Sequence, residues 1–312
     1  MIGEITGFLF DPLKEIWAFP IFFVEVVIGG LLTGVMYSLV ALGFVLIFKA
    51  SGVFNFAQGA MVLCAALTFV GFREMDVPMV LALALTLGVM LLMAVAIERL
   101  VLRPLVNQAP IILFMATIGI TFFIDGLFQT IWGSDIKRMD VGIPKDPMEF
   151  GGVLVNIFDI VAALVAGTLV ATLAFFFQST RIGRALRAVA DDHQAAQSVG
   201  IPLRTIWVIV WAVAGLVALV AGIMWGSKLG VQFSLALIAL KALPVLILGG
   251  FTSIPGAIIG GLIIGVGEKV AEVYWAPGIG GGIEDWFAYI LALVFLMFRP
   301  QGLFGEKIIE RV

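Results

Sequence analysis

Charge is what this chain has least of. Of its 312 residues, 12% are Asp, Glu, Lys or Arg and 62% are hydrophobic. Soluble domains carry roughly twice that share of charge, so a water-soluble fold is excluded. The single cysteine, Cys64, excludes an internal disulfide framework and reads as a small buried hydrophobe. The single histidine, His193, sits in a polar stretch. That leaves no histidine for acid–base catalysis within the apolar runs and no Cys/His set for a metal. G-x-x-x-x-G-K-[ST], H-E-x-x-H and G-x-S-x-G are all missing. The chain therefore has no phosphate loop, zinc-protease helix or nucleophile elbow, and no ATPase site or cofactor of its own is expected. A basic leader is missing too. Residues 1–20 carry Glu4, Asp11 and Glu15 and do not read as a secretory signal. The net charge of −3 is too small to point to a partner, and nucleic acid is not expected as one.

What the chain does have is long apolar runs. They are continuous rather than alternating, which predicts a polytopic, all-α membrane protein and not a transmembrane barrel. Nine segments stand out, at about 21–48, 56–72, 77–98, 109–132, 152–177, 206–226, 233–250, 254–274 and 284–299. The first is long and holds Gly29-Gly30, so it is either two elements or one kinked helix; the second and seventh are short. The number of spans is eight to ten, in one transmembrane domain over 1–312. Ahead of them, Ile5, Phe8, Leu9, Leu13, Ile16 and Trp17 fall near helical spacing. They read as an interfacial helix within 1–20 or as an unstructured end.

Loop charges orient the spans. With nine alternating spans and a cytoplasmic C-terminus, ten Lys and Arg residues lie inside, Lys307 and Arg311 among them, and six outside. Loop 133–150 falls outside, nearly balanced in charge, and reads as solvated. Ionisable groups within apolar runs face protein or water rather than lipid. They are Glu25, Asp125, Asp159, Lys241, Glu268, Lys269 and Glu272. Lys241 is the most central, and Pro244 follows it by one turn, the pattern of a kinked helix lining a pathway. Glu268 and Glu272 share a helix face and read first as structural pairing. Glycines four apart (Gly30/Gly34, Gly222/Gly226, Gly256/Gly260 and Gly261/Gly265) predict close helix crossings.

The longest polar stretch, 178–205, lies between two apolar runs and would be cytoplasmic. Its centre reads as a helix, capped by Ser179 or Thr180 and ended by Gly200 and Pro202. Arg184 and Arg187 lie one turn apart on one face, open to a partner's carboxylates or carbonyls. Asp191 and Asp192 follow. Ala185, Ala188, Ala195 and Ala196 keep the helix slim, and Gly200 permits a sharp exit. The loop reads as a handle for a cytoplasmic partner; the plainer reading is a solvated loop whose arginines only set topology. Asn55 and Gln58, between the first two apolar runs, suggest a broken or re-entrant helix near a pathway, and Thr117 and Thr121 fall four apart in the fourth.

The 178–205 loop contains Gln194-Ala195-Ala196 and, three residues on, Gly200. It resembles the E-A-A-x-x-x-G loop of ABC-importer membrane subunits, with Gln in place of Glu and without the I-x-L-P that often follows. Four more blocks, GVMYSLVALGFVLIFKASGVFNFAQG (34–59), RIGRALRAVADD (181–192), LKALPVLILGGFTSIPGAIIGG (240–261) and FRPQGLFG (298–305), resemble the LivH-type permeases of the branched-chain (hydrophobic) amino acid importer family. The blocks span nearly the whole chain. Gln58 stands where the family commonly has His in N-F-A-H-G, which leaves the solute open.

The resemblance implies a non-catalytic permease subunit with an ABC-importer permease fold in the bacterial inner membrane. It implies four kinds of partner: a LivM-like second permease, two LivG- and LivF-like ATPase subunits, a periplasmic substrate-binding protein, and a small-molecule substrate. ATPase coupling would fall to Arg184, Arg187, Asp191, Asp192, Ala195, Ala196 and Gly200. The pathway candidates are Asn55, Gln58, Thr117, Thr121 and Lys241. The chief alternative is an ion-coupled secondary transporter relying on Asp125, Lys241 and Glu268. An intramembrane enzyme or a channel lacks any supporting motif.

Overall fold

The computed structural model describes residues 2–105 and 108–305. Its spine is helix α2 (Pro20–Ser51), a single helix that the Gly29-Gly30 pair does not break. From Met36 onward nearly every side chain of α2 is enclosed, including Leu39, Val40, Leu42, Val45 and Leu46. In hydrocarbon every backbone polar group must be satisfied within the chain, and continuous helix is the simplest way.

Around the spine lie α3 (Gln58–Glu74), α4 (Met79–Ile97), α5 (Pro110–Trp132), α6 (Ile157–Ser179), α9 (Leu203–Leu229) and α12 (Ile254–Tyr274). Among the described residues, six helices are long and apolar enough to cross a membrane: α2, α4 with its extension to Leu105, α5, α6, α9 and α12. The other three predicted segments are also helical but shorter. Helix α3 has 17 residues and α13 (Phe287–Phe298) has 12. The 233–249 segment breaks into a 3-10 turn (Phe233–Leu237), α10 (Ile238–Lys241) and α11 (Leu243–Gly249), with Pro244 at the start of α11.

The predicted glycine crossings have partners. Gly30 and Gly34 of α2 meet Gly261 and Gly265 of α12. A Cβ on Gly34 would stand 2.6 Å from the Gly261 carbonyl oxygen, and one on Gly30 2.8 Å from that of Gly265. The backbones touch, so dispersion and weak hydrogen bonds replace the hydrophobic effect that lipid cannot supply. Gly222 of α9 abuts Val62 and Ala66 of α3, and Gly260 abuts Val245 of α11.

The contacts sort into two ends. At one, Trp207 Nε1 donates to the Ala50 carbonyl (3.0 Å), Lys49 reaches Thr252 O (3.3 Å) and Leu303 N donates to Leu248 O. At the other, Lys137 pairs with Glu74, Lys145 donates to Ser227 O (2.7 Å) and Lys228 pairs with Asp159 (2.7 Å). Loop 133–150, expected to be plainly solvated, is thus tied to the bundle.

The all-α reading misses one feature. Residues 147–156, the later ones taken as the start of an apolar span, form a hairpin of β1 (Pro147–Phe150) and β2 (Val153–Asn156). Its two-residue loop is Gly151-Gly152, both with positive φ (61° and 89°), as such hairpin turns need. Helix α1 (Ile2–Ala18) gives the N-terminus a regular structure with Trp17 exposed. The side chains of Ile5, Phe8 and Leu9, and residues Lys307 and Arg311, lie outside those described.

Candidate functional site

The polar stretch is built as two helices, α7 (Arg181–Asp191) and α8 (His193–Ser198), where one was expected. The reason is Asp192. It leaves helical geometry (φ −158°, ψ 113°), and its carboxylate accepts the Ala195 N–H at 3.0 Å, so it starts the second helix. Of the two expected caps, Thr180 serves: its hydroxyl accepts the Gly183 N–H at 3.2 Å. Gly200 (φ 85°) ends α8, with Ile201 N–H bonded back to the Ala196 carbonyl at 3.0 Å. This six-to-one bond is the Schellman stop.

Helix α7 buries Leu186 and Val189 at helical spacing and packs against α6, α2 and α9. Arg187 fastens it. Its guanidinium donates to the Phe177 carbonyl (2.8 Å) and the Gln178 carbonyl (3.4 Å) at the end of α6. A cation there also complements the negative end of the α6 dipole. The sequence offered both arginines to a partner, but Arg187 is half-buried and held within the chain. Arg184 is exposed, with one arm near the Ser179 carbonyl at 3.4 Å. Arg181, Asp191, Asp192, Ala195 and Gly200 are exposed as well, while Ala196 is buried. The side chains of His193 and Gln194 lie outside those described. The resulting surface is charged and lies at one end of the bundle.

The pathway candidates separate into two places. Asn55 and Gln58 are fully enclosed. Asn55 accepts the Ala57 N–H (3.0 Å), and Thr117 accepts the Phe56 N–H (3.2 Å) while donating to Phe114 O (2.8 Å). These side chains satisfy the backbone freed by the break between α2 and α3. Gln58 lies against Gly43, and its amide has no hydrogen-bond partner among the described residues. Thr121 bonds its own helix at Thr117 O (2.9 Å).

Lys241 lies elsewhere, in the wall of a cavity of about 560 Å³. The break after α10 presents it there, below the 3-10 turn at Ile283–Asp285. Its ammonium lies 3.3 Å from Asp285, 3.4 Å from Glu268 and 3.8 Å from Glu284. Glu268 is 6% exposed and also accepts the Tyr37 hydroxyl at 3.2 Å. Tyr37 and Trp225, stacked at 5.3 Å, form the aromatic wall. Glu272 does not join this group; it accepts the Gly282 and Glu284 N–H groups and holds the turn.

The family model described as "Branched-chain amino acid transport system / permease component" matches residues 26–298. The chain belongs to this family. This permease is 28% identical to the high-affinity branched-chain amino acid transport system permease protein BraD of Pseudomonas aeruginosa, over 93% of this chain and 98% of the relative. It is 27% identical to LivH of Escherichia coli, over 94% and 98%. Among solved structures, PsaBC from Streptococcus pneumoniae in complex with Fab matches with a TM-score of 0.50 at 12% identity, covering 92% of this chain and 94% of that one. At that identity the likeness is one of fold. The permease is a multi-pass membrane protein.

Sequence reasoning passed over two residues of the loop site. A Cβ on Gly183 would collide with the Phe177 carbonyl, so glycine lets α7 seat on α6. Trp207 ties the start of α9 to the end of α2. Gly183 is visible within R-I-G-R, but what it meets lies in another helix.

Proposed function

We propose that this permease is one membrane-spanning subunit of an ATP-binding cassette importer in the bacterial inner membrane, taking up branched-chain or other hydrophobic amino acids or related small solutes. ATP is hydrolysed on two partner subunits of the LivG and LivF type. A LivM-like permease completes the pathway, and a periplasmic binding protein delivers solute. The polar loop and the C-terminus are cytoplasmic. ATPase closure moves α7 and α8, and the bundle passes between outward- and inward-open states.

The observation that carries this reading is the fastening of α7. A solvated loop that only sets topology needs no Thr180 cap, no Gly183 seat and no Arg187 clamp onto α6. A helix that transmits force needs all three. Arg184, Asp191, Asp192, Ala195 and Gly200 are then the docking surface, and Arg187 and Ala196 hold that surface in place.

The test is purification of the tagged chain from its native host in mild detergent, with mass spectrometry of what accompanies it. Two ATPases and a second permease support the reading. A chain that comes down alone, yet drives uptake in proteoliposomes on an ion gradient without ATP, overturns it. That outcome favours the ion-coupled transporter, to which the Lys241–Glu268 pair lends its one specific observation.

A further inference from the structure

We infer that the Lys241 cavity is a station for a zwitterionic amino acid, holding its ammonium at Glu284 and Asp285 and its carboxylate at Lys269. The inference rests on the importer reading and adds where the solute pauses and by which groups.

The first argument is charge. Three carboxylates lie within 4 Å of Lys241 Nζ, and one ammonium balances one of them. Glu268 is the natural partner, since it is buried and also bonded to Tyr37. Glu284 and Asp285 are 44% and 75% exposed and line the cavity, so an incoming cation can reach both. Asp285 and Glu284 stay beside Lys241 because Glu272 anchors their turn. Lys269, exposed, lines the same cavity and supplies the opposite sign. Lys228 also lines it but is paired with Asp159.

The second argument is the wall. Tyr37, Trp225 and Tyr289 line the cavity, offering apolar area to a side chain and ring faces to an ammonium. Trp225 is 4% exposed, and its indole N–H has no hydrogen-bond partner among the described residues. A buried donor left unpaired is costly and points to a missing acceptor. At about 560 Å³ the cavity falls within the range of small-molecule sites. A simple anion would meet Glu284 and Asp285 unfavourably, and a simple cation would leave Lys269 unused. A zwitterion with an apolar side chain satisfies both signs and the wall.

The full-length permease in lipid nanodiscs is titrated with three probes by saturation-transfer NMR. They are L-leucine, 3-methylbutylamine (the same side chain with only the amine) and 4-methylpentanoate (with only the carboxylate). Leucine is expected to bind most tightly. The double variant Glu284→Gln/Asp285→Asn should weaken leucine and the amine by about tenfold, the size of one lost charged hydrogen bond. Lys269→Gln should weaken leucine and leave the amine unchanged. A purely structural role for Lys269 would move both probes together. Both variants change exposed groups and are checked for a monodisperse elution profile. Leucine binding that survives the double variant, or 4-methylpentanoate binding as tightly as leucine, overturns the assignment. The readout needs no ATP, so it judges the cavity whatever ATP-driven uptake by the assembled importer shows.

Discussion

Gly200 offers the sharpest test of the loop, because its requirement can be separated from simple bulk. Its φ is 85°, yet a Cβ built on it would meet no atom within 4 Å. The constraint is therefore backbone conformation, not space. An L-residue in the left-handed region costs about 1–2 kcal/mol. That is a factor of roughly 5–30 in the population of the stopped loop. In the isolated permease, Gly200→Ala and Gly200→Leu should lose protection equally, by hydrogen exchange of the amides at Gly200 and Ile201. Gly200→Asn should retain most of it, because Asn tolerates this region, and Gly200→Val should be worst. In the assembled complex the order should change: Leu should fall below Ala in ATPase retained and in uptake, because exposed Gly200 then meets a partner. Equal behaviour of Asn and Val in the isolated permease would refute the backbone argument. Equal behaviour of Ala and Leu in the complex would refute the docking surface.

Other outcomes follow from the same contacts. Gly265→Val places side-chain atoms against the backbone of α2 at Gly30 and Gly34 and should cost about 3 kcal/mol in a reversible unfolding assay, the upper end of the usual overpacking range, whereas Gly29→Ala, with open space at its Cβ, should be neutral or slightly stabilising. Arg184→Glu and Arg187→Glu should both reduce ATP-driven uptake. Arg187→Glu should raise hydrogen exchange at the α6–α7 junction of the isolated permease more than Arg184→Glu, because Arg187 holds the Phe177 carbonyl at 2.8 Å whereas Arg184 reaches the Ser179 carbonyl at 3.4 Å. Trp207→Phe removes the bond to Ala50 O and should lower thermal stability by about 1 kcal/mol, read from the shift in melting temperature.

The apolar segments were legible because bilayer thickness dictates their length, and six of the nine expected segments appear as helices long enough to cross a membrane, the other three as shorter or broken helices. The glycine spacing was legible for a similar reason: small residues four apart mark a close crossing, and Gly30/Gly34 found Gly261/Gly265. What the spacing could not name was the partner helix. The break at Asp192 and the hairpin at 147–156 were passed over, although each has a local signature, an aspartate that can start a helix and a Gly-Gly turn. Both were masked by neighbours that continue a helical or apolar pattern. Arg187 shows the deeper limit. Its position in the sequence suits a partner as well as it suits the end of α6, and only packing decides between them.

The two sites meet at opposite ends of one short helix. Lys241 ends α10, and α11 runs from Leu243 to Gly249, close to the loop end. There Thr252 and Ser253, just past α11, share a cavity of about 240 Å³ with Gly183 and Arg187 of α7 and with Phe304. Leu303 and Phe304 donate their amides to the Leu248 and Gly249 carbonyls, so the 301–305 turn braces the same helix. Gly249 and Gly256 press backbone to backbone, which fixes α11 to the start of α12. Helix α12 in turn carries Glu268, the buried partner of Lys241. The end of the bundle beside α7 and the charged cavity are thus linked by α11, which follows Lys241, and by α12, which carries Glu268. A contact path of this kind is a route for coupling rather than a measure of it.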